Sequence, residues 1–204
     1  MTNWLEWARE LHSLAQSGLY YTKDIYDEER YERIKEMSHQ MMSVLANTSP
    51  QVIAELRLED SGYQTPKIDT RGAVWKDDQI LLVQEKDGLW ALPGGWMDVT
   101  ETISSNVLKE IYEESGMEAE VVKLVSLLDR NLHNPGQNPY TIVKVFVECL
   151  YKAGSFTENS ETIAAKFFSV DELPELMVNK TSKEQIQLCY QARQQGKNWQ
   201  VTFD

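Results

Sequence analysis

The chain has 204 residues, with 32 acidic side chains against 20 basic ones and a formal charge of −12 at pH 7. That balance argues against broad nucleic-acid binding, which depends on Lys and Arg neutralising phosphates, but leaves room for a small anionic substrate held through bound cations. Nowhere do 18 apolar residues occur together, which excludes a helix spanning a membrane, and Glu6, Arg9 and Glu10 break up any leader-like N-terminus.

Residues 1 to about 60 read as a helical extension. Trp4, Ala8, Leu11 and Ala15 recur at helical spacing and predict a first helix ending near Gly18. Asp24 is placed to cap a second helix running to about Ala46, with Asp27, Glu28 and Glu29 in its first turn and Ile34, Met37, Met41 and Val44 as an apolar stripe. Asn47-Thr48-Ser49-Pro50 would break it, and Gln51 to Leu58 would add a further helical turn. Two helices cover little apolar surface by themselves, so the surplus predicts a homodimer through this extension, or packing on the remainder of the chain.

From residue 61 the pattern becomes mixed. Ile68 to Trp75 and Gln79 to Gln84 read as a hairpin around Asp77-Asp78, and Leu89 to Leu92 as a short strand entering a glycine turn. A helix over Thr102 to Ser115 follows, then strands near Ala119–Asp129, Tyr140–Tyr151 and Ala164–Val170. On the second of these, Val143, Val145, Val147 and Cys149 would form a core face, while Ile142, Lys144, Phe146 and Glu148 would form a mixed face bordering a site. Asp171 to Pro174 suggests a short helix, and Thr181-Ser182-Lys183-Glu184 a capping box for a last helix ending at Gly196. This order predicts an α/β fold, a mixed sandwich over residues 61–204. Cys149 and Cys189 lie in apolar segments and read as buried thiols of a reducing compartment, so a soluble, cytoplasmic protein is expected.

The chemistry concentrates between Gly95 and Met117. Glu110, Glu113 and Glu114 stand at i, i+3 and i+4, on one helical face behind Gly94-Gly95. Like charges at that spacing repel; a solvated acidic face is the plain alternative, and a bound divalent cation is what would make the arrangement favourable. The stretch resembles the Nudix box, G-x5-E-x7-R-E-U-x-E-E-x-G-U. Gly95, Glu101, Glu110, Ile111, Glu113, Glu114, Gly116 and Met117 occupy its positions, and Lys109 stands where the box has arginine. The opening Trp4 to Leu11 and the later Lys23 to Tyr31 resemble the N-terminal extension of a bacterial Nudix subgroup. That subgroup includes CDP-choline pyrophosphatases and proteins described as ADP-ribose pyrophosphatases.

The resemblance implies an α-β-α sandwich with a mixed sheet, and a Mg²⁺- or Mn²⁺-dependent hydrolase of a nucleoside diphosphate linked to another moiety. Glu110 and Glu114 would be principal metal ligands, Glu113 a further ligand or a polariser of water, and Gly95 a carbonyl ligand. Glu101 would orient the helix by pairing with Lys109, less tightly than with an arginine. Glu161 is expected as a metal ligand or general base, with a solvent-facing loop acid the alternative and Glu158 its competitor. Arg71 reads as a phosphate clamp or a surface ion pair, and Trp96 and Tyr63 as base-stacking or core residues. His133 reads as a loop residue. CDP-choline is the favoured substrate, because tyrosines such as Tyr20, Tyr21, Tyr26 and Tyr31 suit a quaternary cation; ADP-ribose is the alternative. A sensor that binds nucleotides without turnover is the rival class, and such modules usually lose box glutamates that are all present here.

Overall fold

The computed structural model describes residues 4–45, 49, 62–136, 138 and 140–204. The chain divides into two compact units, Met1–Pro66 with Gln137–Thr141, and Lys67–Gly136 with Ile142–Asp204. The expected boundary at residue 60, the break after Ala46 and the helical turn at 51–58 lie outside the described residues.

In the first unit, α1 (Trp4–Tyr21) and α2 (Ile25–Leu45) are joined by three residues, a connection that sets helices side by side and antiparallel. Asp24 caps α2, its carboxylate accepting from the backbone of Tyr26 at 2.8 Å and Asp27 at 3.2 Å. Leu5, Ala8 and Met42 form the core at one end. At the other, Gly18 lets the Tyr31 ring approach, since a Cβ there would lie 2.5 Å from it. Helix α1 therefore continues past Gly18, where the sequence suggested an end.

The buried line of α1 is Leu5, Ala8, His12, Ala15 and Gln16, rotated from the expected stripe. Trp4 is 56% and Leu11 38% exposed, and on α2 Met37 and Val44 are exposed as well. The rotation has a chemical cause: His12 and Gln16 satisfy each other at 3.1 Å, and the His12 ring stacks on His39. Paired polar groups can occupy a core that unpaired ones cannot. A row of apolar side chains is left facing outward from the helix pair.

The second unit is a mixed sheet between helices. Its strands are β1 (Lys67–Lys76), β2 (Gln79–Glu85), β3 (Trp90–Ala91), β4 (Met117–Asp129), β5 (Ile142–Gly154), β6 (Thr162–Ser169) and β7 (Thr202–Phe203). The path runs β3-β2-β1-β5-β4-β7, with β6 paired antiparallel along β2. Strands β1 and β5 run parallel from Lys67↔Ile142 to Trp75↔Leu150. Helix α3 (Ile103–Ser115) packs on one face, where Val107 and Ile111 meet Val74, Leu81, Val145 and Val147. A short α4 (Arg130–His133) follows β4. Helix α5 (Lys183–Gln195) covers the other face, with Ile186, Cys189 and Ala192 against Ala73, Trp75, Ile80 and Phe146. The expected α-β-α sandwich is what forms.

Both faces of β5 are consequently interior. Lys144 is 2% and Glu148 5% exposed, so the mixed face is buried. Its charges are paired, Lys144 with Asp69 at 2.8 Å and Glu148 with Lys123 at 3.2 Å. Asp171 to Pro174 forms a turn, with Leu176 bridging Trp90. The α5 capping box sits one residue later than expected, between Ser182 and Gln185, because Thr181 spends its hydroxyl accepting from Leu92 N. Cys149 and Cys189 are buried free thiols, and burial pushes the Cys149 pKa up to about 12. Among the described residues no helix is long and apolar enough to cross a membrane.

Candidate active site

Helix α3 begins at a capping box between Thr102 and Ser105 and ends at Gly116, whose φ of +68° is the left-handed turn expected there. Its N-terminal half is fixed by Asn106, which donates to Thr70 Oγ1 at 2.9 Å and accepts from Asp98 N at 3.1 Å. Gly72 makes room beneath it, since a Cβ there would strike Ile111 at 2.7 Å. One face of α3 is thereby held against the turn that follows β3.

That turn requires glycine. Gly94 has a φ of +143°, and a Cβ there would lie 1.9 Å from the Thr70 carbonyl; a Cβ on Gly95 would lie 2.7 Å from Glu110 Oε2. Gly94 N donates to Glu114 Oε2 at 2.8 Å. Glu110 and Glu114, one helical turn apart, therefore both bring carboxylates to the glycine turn. The Gly95 carbonyl, expected as a metal ligand, accepts from Thr70 N at 2.9 Å, which leaves one of its two lone pairs.

Glu114 is 8% exposed. Burial raises its pKa from 4.5 to about 7, although Arg71 and the Gly94 amide favour the charged form. Glu110 is also raised, first by burial, with Glu113 and Glu161 adding repulsion and Lys109 and Arg71 opposing it. Two adjacent carboxylates that resist ionisation form a local electrostatic deficit which a cation would relieve. Among the described residues, no three His, Cys, Asp or Glu side chains converge closely enough to enclose a metal by themselves. Mg²⁺ commonly uses only one or two carboxylates and takes its remaining oxygens from water and substrate phosphate. The Glu110–Glu114 pair fits that pattern.

Other expected residues take different places. The Glu113 side chain is 56% exposed and lies 3.8 Å from Lys109. Lys109 bonds Asp98 at 2.6 Å, so the expected pairing with Glu101 is replaced; Asn106 draws Asp98 onto the helix, while Glu101 sits just before the cap. Arg71 is neither a surface pair nor an open phosphate clamp. It is 5% exposed, doubly bonded to Asp69 at 2.8 and 3.1 Å, and donates to the Leu92 carbonyl at 3.2 Å. Burial works against its charge, but Asp69, helped by Glu114 and Glu85, more than offsets this and raises its pKa. Arg71 thus braces the strand leading into the glycine turn. Trp96 is 50% and Tyr63 69% exposed, so neither is a core residue; Tyr63 belongs to the first unit. His133 pairs with Asp204 at 2.9 Å.

Glu161 is delivered by a device that the sequence reading missed. Asn159 Oδ1 accepts from the amides of Glu161 and Thr162, each at 2.9 Å. Asn159 Nδ2 donates to the carbonyls of Glu113 and Glu114, and Thr162 Oγ1 to that of Glu114 at 2.6 Å. The loop is thereby tied to the end of α3, and Asn-x-x-Thr ahead of a strand was its signal. Glu161 and Glu114 line a cavity of about 370 Å³ with Glu85, Thr162 and Lys180. Glu158 is exposed and does not line it.

A glycine turn that meets two carboxylates, with a third acid on a pinned loop, could hold a cation against phosphate oxygens. Residues 66–189 match the NUDIX domain family, and residues 2–56 match a family described as a UDP-X-like, N-terminal oligomerisation domain. The chain belongs to the Nudix family and is a Nudix pyrophosphohydrolase, an enzyme class that works with divalent metal ions. It is 40% identical over 190 residues to YjhB of Bacillus subtilis (strain 168), provisionally named an ADP-ribose pyrophosphatase, covering 93% of this chain and 91% of that one. A crystal structure of an ADP-ribose pyrophosphatase from Streptococcus suis is 46% identical, with a TM-score of 0.64 over 69% of this chain and all of that one. A UDP-X diphosphatase structure is 32% identical, again with a TM-score of 0.64, over 98% of this chain and 97% of that one.

Proposed function

We propose that the protein hydrolyses the diphosphate of a nucleoside diphosphate linked to another moiety, giving a nucleoside monophosphate and a phosphorylated moiety. The observation that carries this reading is the meeting of Glu110 and Glu114 at the Gly94–Gly95 turn. Those two side chains would hold Mg²⁺ or Mn²⁺, which when bound offsets charge developing on the phosphate oxygens. Glu161, poised by Asn159, would accept the proton of the attacking water as its oxygen bonds to phosphorus and the bond to the bridging oxygen breaks. Glu113, exposed beside Lys109, is assigned an outer role in orienting water. Trp96, half exposed beside the glycine turn, is a candidate to stack on the base.

ADP-ribose is the first substrate to consider, because proteins bearing that name share 40–46% identity with this chain. CDP-choline is the second, favoured by the exposed Tyr20 and Tyr21 rings set edge-on at 4.9 Å, aromatic surface of the kind that suits a quaternary ammonium. The helical extension, residues 1–60, is assigned to homodimerisation and substrate contact, and residues 61–204 to catalysis. Buried cysteine thiols suit a reducing, cytoplasmic setting. A panel of ADP-ribose, CDP-choline and UDP-sugars, assayed side by side for released monophosphate in Mg²⁺, tests the reading. Metal-dependent release is expected, fastest with ADP-ribose; a higher kcat/KM for CDP-choline would reverse the substrate order, and no release from any member would refute the function.

A further inference from the structure

The cavity beside Glu114, at about 370 Å³, is at the small end of the roughly 300–1,000 Å³ usual for ligand sites. Among the described residues none of its lining is aromatic, so it suits phosphate and polar groups more than a base. Glu85, Asp87, Glu114 and Glu161 contribute acids to its lining, and Lys86 and Lys180 contribute cations. An incoming diphosphate therefore meets an acidic site, and a protein cation that can reach its oxygens acquires particular weight.

Lys180 is placed for that task. It sits in a turn fixed by bonds from its own amide and that of Thr181 to the Met177 carbonyl, both 2.8 Å. Its ammonium bonds the Glu85 carboxylate at the end of β2, with both side chains partly exposed. A lysine amine is a compact charge on a flexible stem and can change partners by rotation. Its field already reaches Glu114, where it favours the ionised form. A partly exposed pair of this kind contributes little stability, so exchanging Glu85 for a phosphate oxygen costs little.

We propose that Lys180 is a substrate-binding residue that leaves Glu85 to grip the diphosphate, and that Glu85 sets affinity by competing for the same ammonium. This rests on the diphosphate-hydrolase reading above and names a contact within that site. The test is calorimetric binding of an ADP-ribose analogue with a methylene in place of the bridging oxygen, in Mg²⁺, alongside steady-state kinetics with ADP-ribose. Lys180→Gln is expected to weaken binding and raise KM by about tenfold or more, the scale of one charge-assisted hydrogen bond, while kcat stays within about threefold. Lys180→Arg should recover most of the loss. Glu85→Gln should act in the opposite direction, tightening binding severalfold by releasing the lysine. A purely structural latch would give both neutral variants a lower Tm and affinity changes of one sign, and that result overturns the proposal, as does a Lys180→Gln variant within twofold of wild type. If the wild-type protein turns over no diphosphate-linked nucleotide, the functional reading fails; if turnover is normal and only the Lys180 effects are missing, the failure belongs to this inference alone.

Discussion

Replacing Glu114 with glutamine should separate folding from function. The side chain is buried, with the residue 8% exposed, and burial raises its pKa from 4.5 to about 7. At about 1.4 kcal/mol for each tenfold change in proton affinity, keeping Glu114 ionised at pH 8 costs the fold about 3 kcal/mol. The sign follows from proton linkage. The folded state binds the proton more tightly than the unfolded one, so stability falls as pH rises from 4.5 through about 7 and levels off above. Glutamine has the same shape, can still accept from Gly94 N, and carries no charge. Urea unfolding in EDTA should therefore show the variant gaining on wild type between pH 5 and pH 8 by up to about 3 kcal/mol. Turnover in saturating Mg²⁺ should fall roughly 100-fold or more, the scale for losing one preorganised electrostatic contact. A variant that loses stability relative to wild type across this pH range, or keeps near-normal turnover, would rule out this role for Glu114.

Asn159→Ala removes the bonds that deliver Glu161, so kcat should drop about tenfold or more; an unchanged kcat would remove the pinned loop from the account. Lys109→Arg should be neutral or mildly beneficial, because Asp98 at 2.6 Å is within reach of either cation; a large loss of activity would show that the lysine has a role of its own. Light scattering of the full chain should return twice the 23.6 kDa chain mass, through the outward apolar row that includes Trp4, Leu14 and Val44. A monomer mass across micromolar concentrations would exclude the dimer.

Much of the second unit was legible because its signals are local. The Asp77-Asp78 turn, the strand runs of β1 and β5, and the span of α3 from Thr102 to Gly116 all follow from short-range stereochemistry. So did the placing of Glu110 and Glu114 on one face. What escaped depended on distant partners. Arg71 reads in sequence as a phosphate clamp or a surface ion pair, and only the parallel register that sets Asp69 opposite Lys144 shows why it is buried. Lys109 chose Asp98 over Glu101 because Asn106 draws the intervening loop inward. The α1 face was misplaced because periodicity counts apolar residues and cannot foresee that His12 and Gln16 would satisfy each other. Strand β7 is two residues long, too short to produce a periodic signal, and Lys180 lies 95 positions from Glu85.

Calorimetric titration of the full chain with Mn²⁺, in two buffers of different ionisation heat, would show whether Glu110 and Glu114 hold the cation. If Glu110 and Glu114 hold the cation as carboxylates, Glu114 must release its proton on binding. With a pKa of about 7, about half a proton per metal should be released at pH 7 and almost none at pH 8.5, and the binding should be lost in Glu110→Gln. Mn²⁺ binding that releases no proton at pH 7, or that survives Glu110→Gln unchanged, would contradict the account.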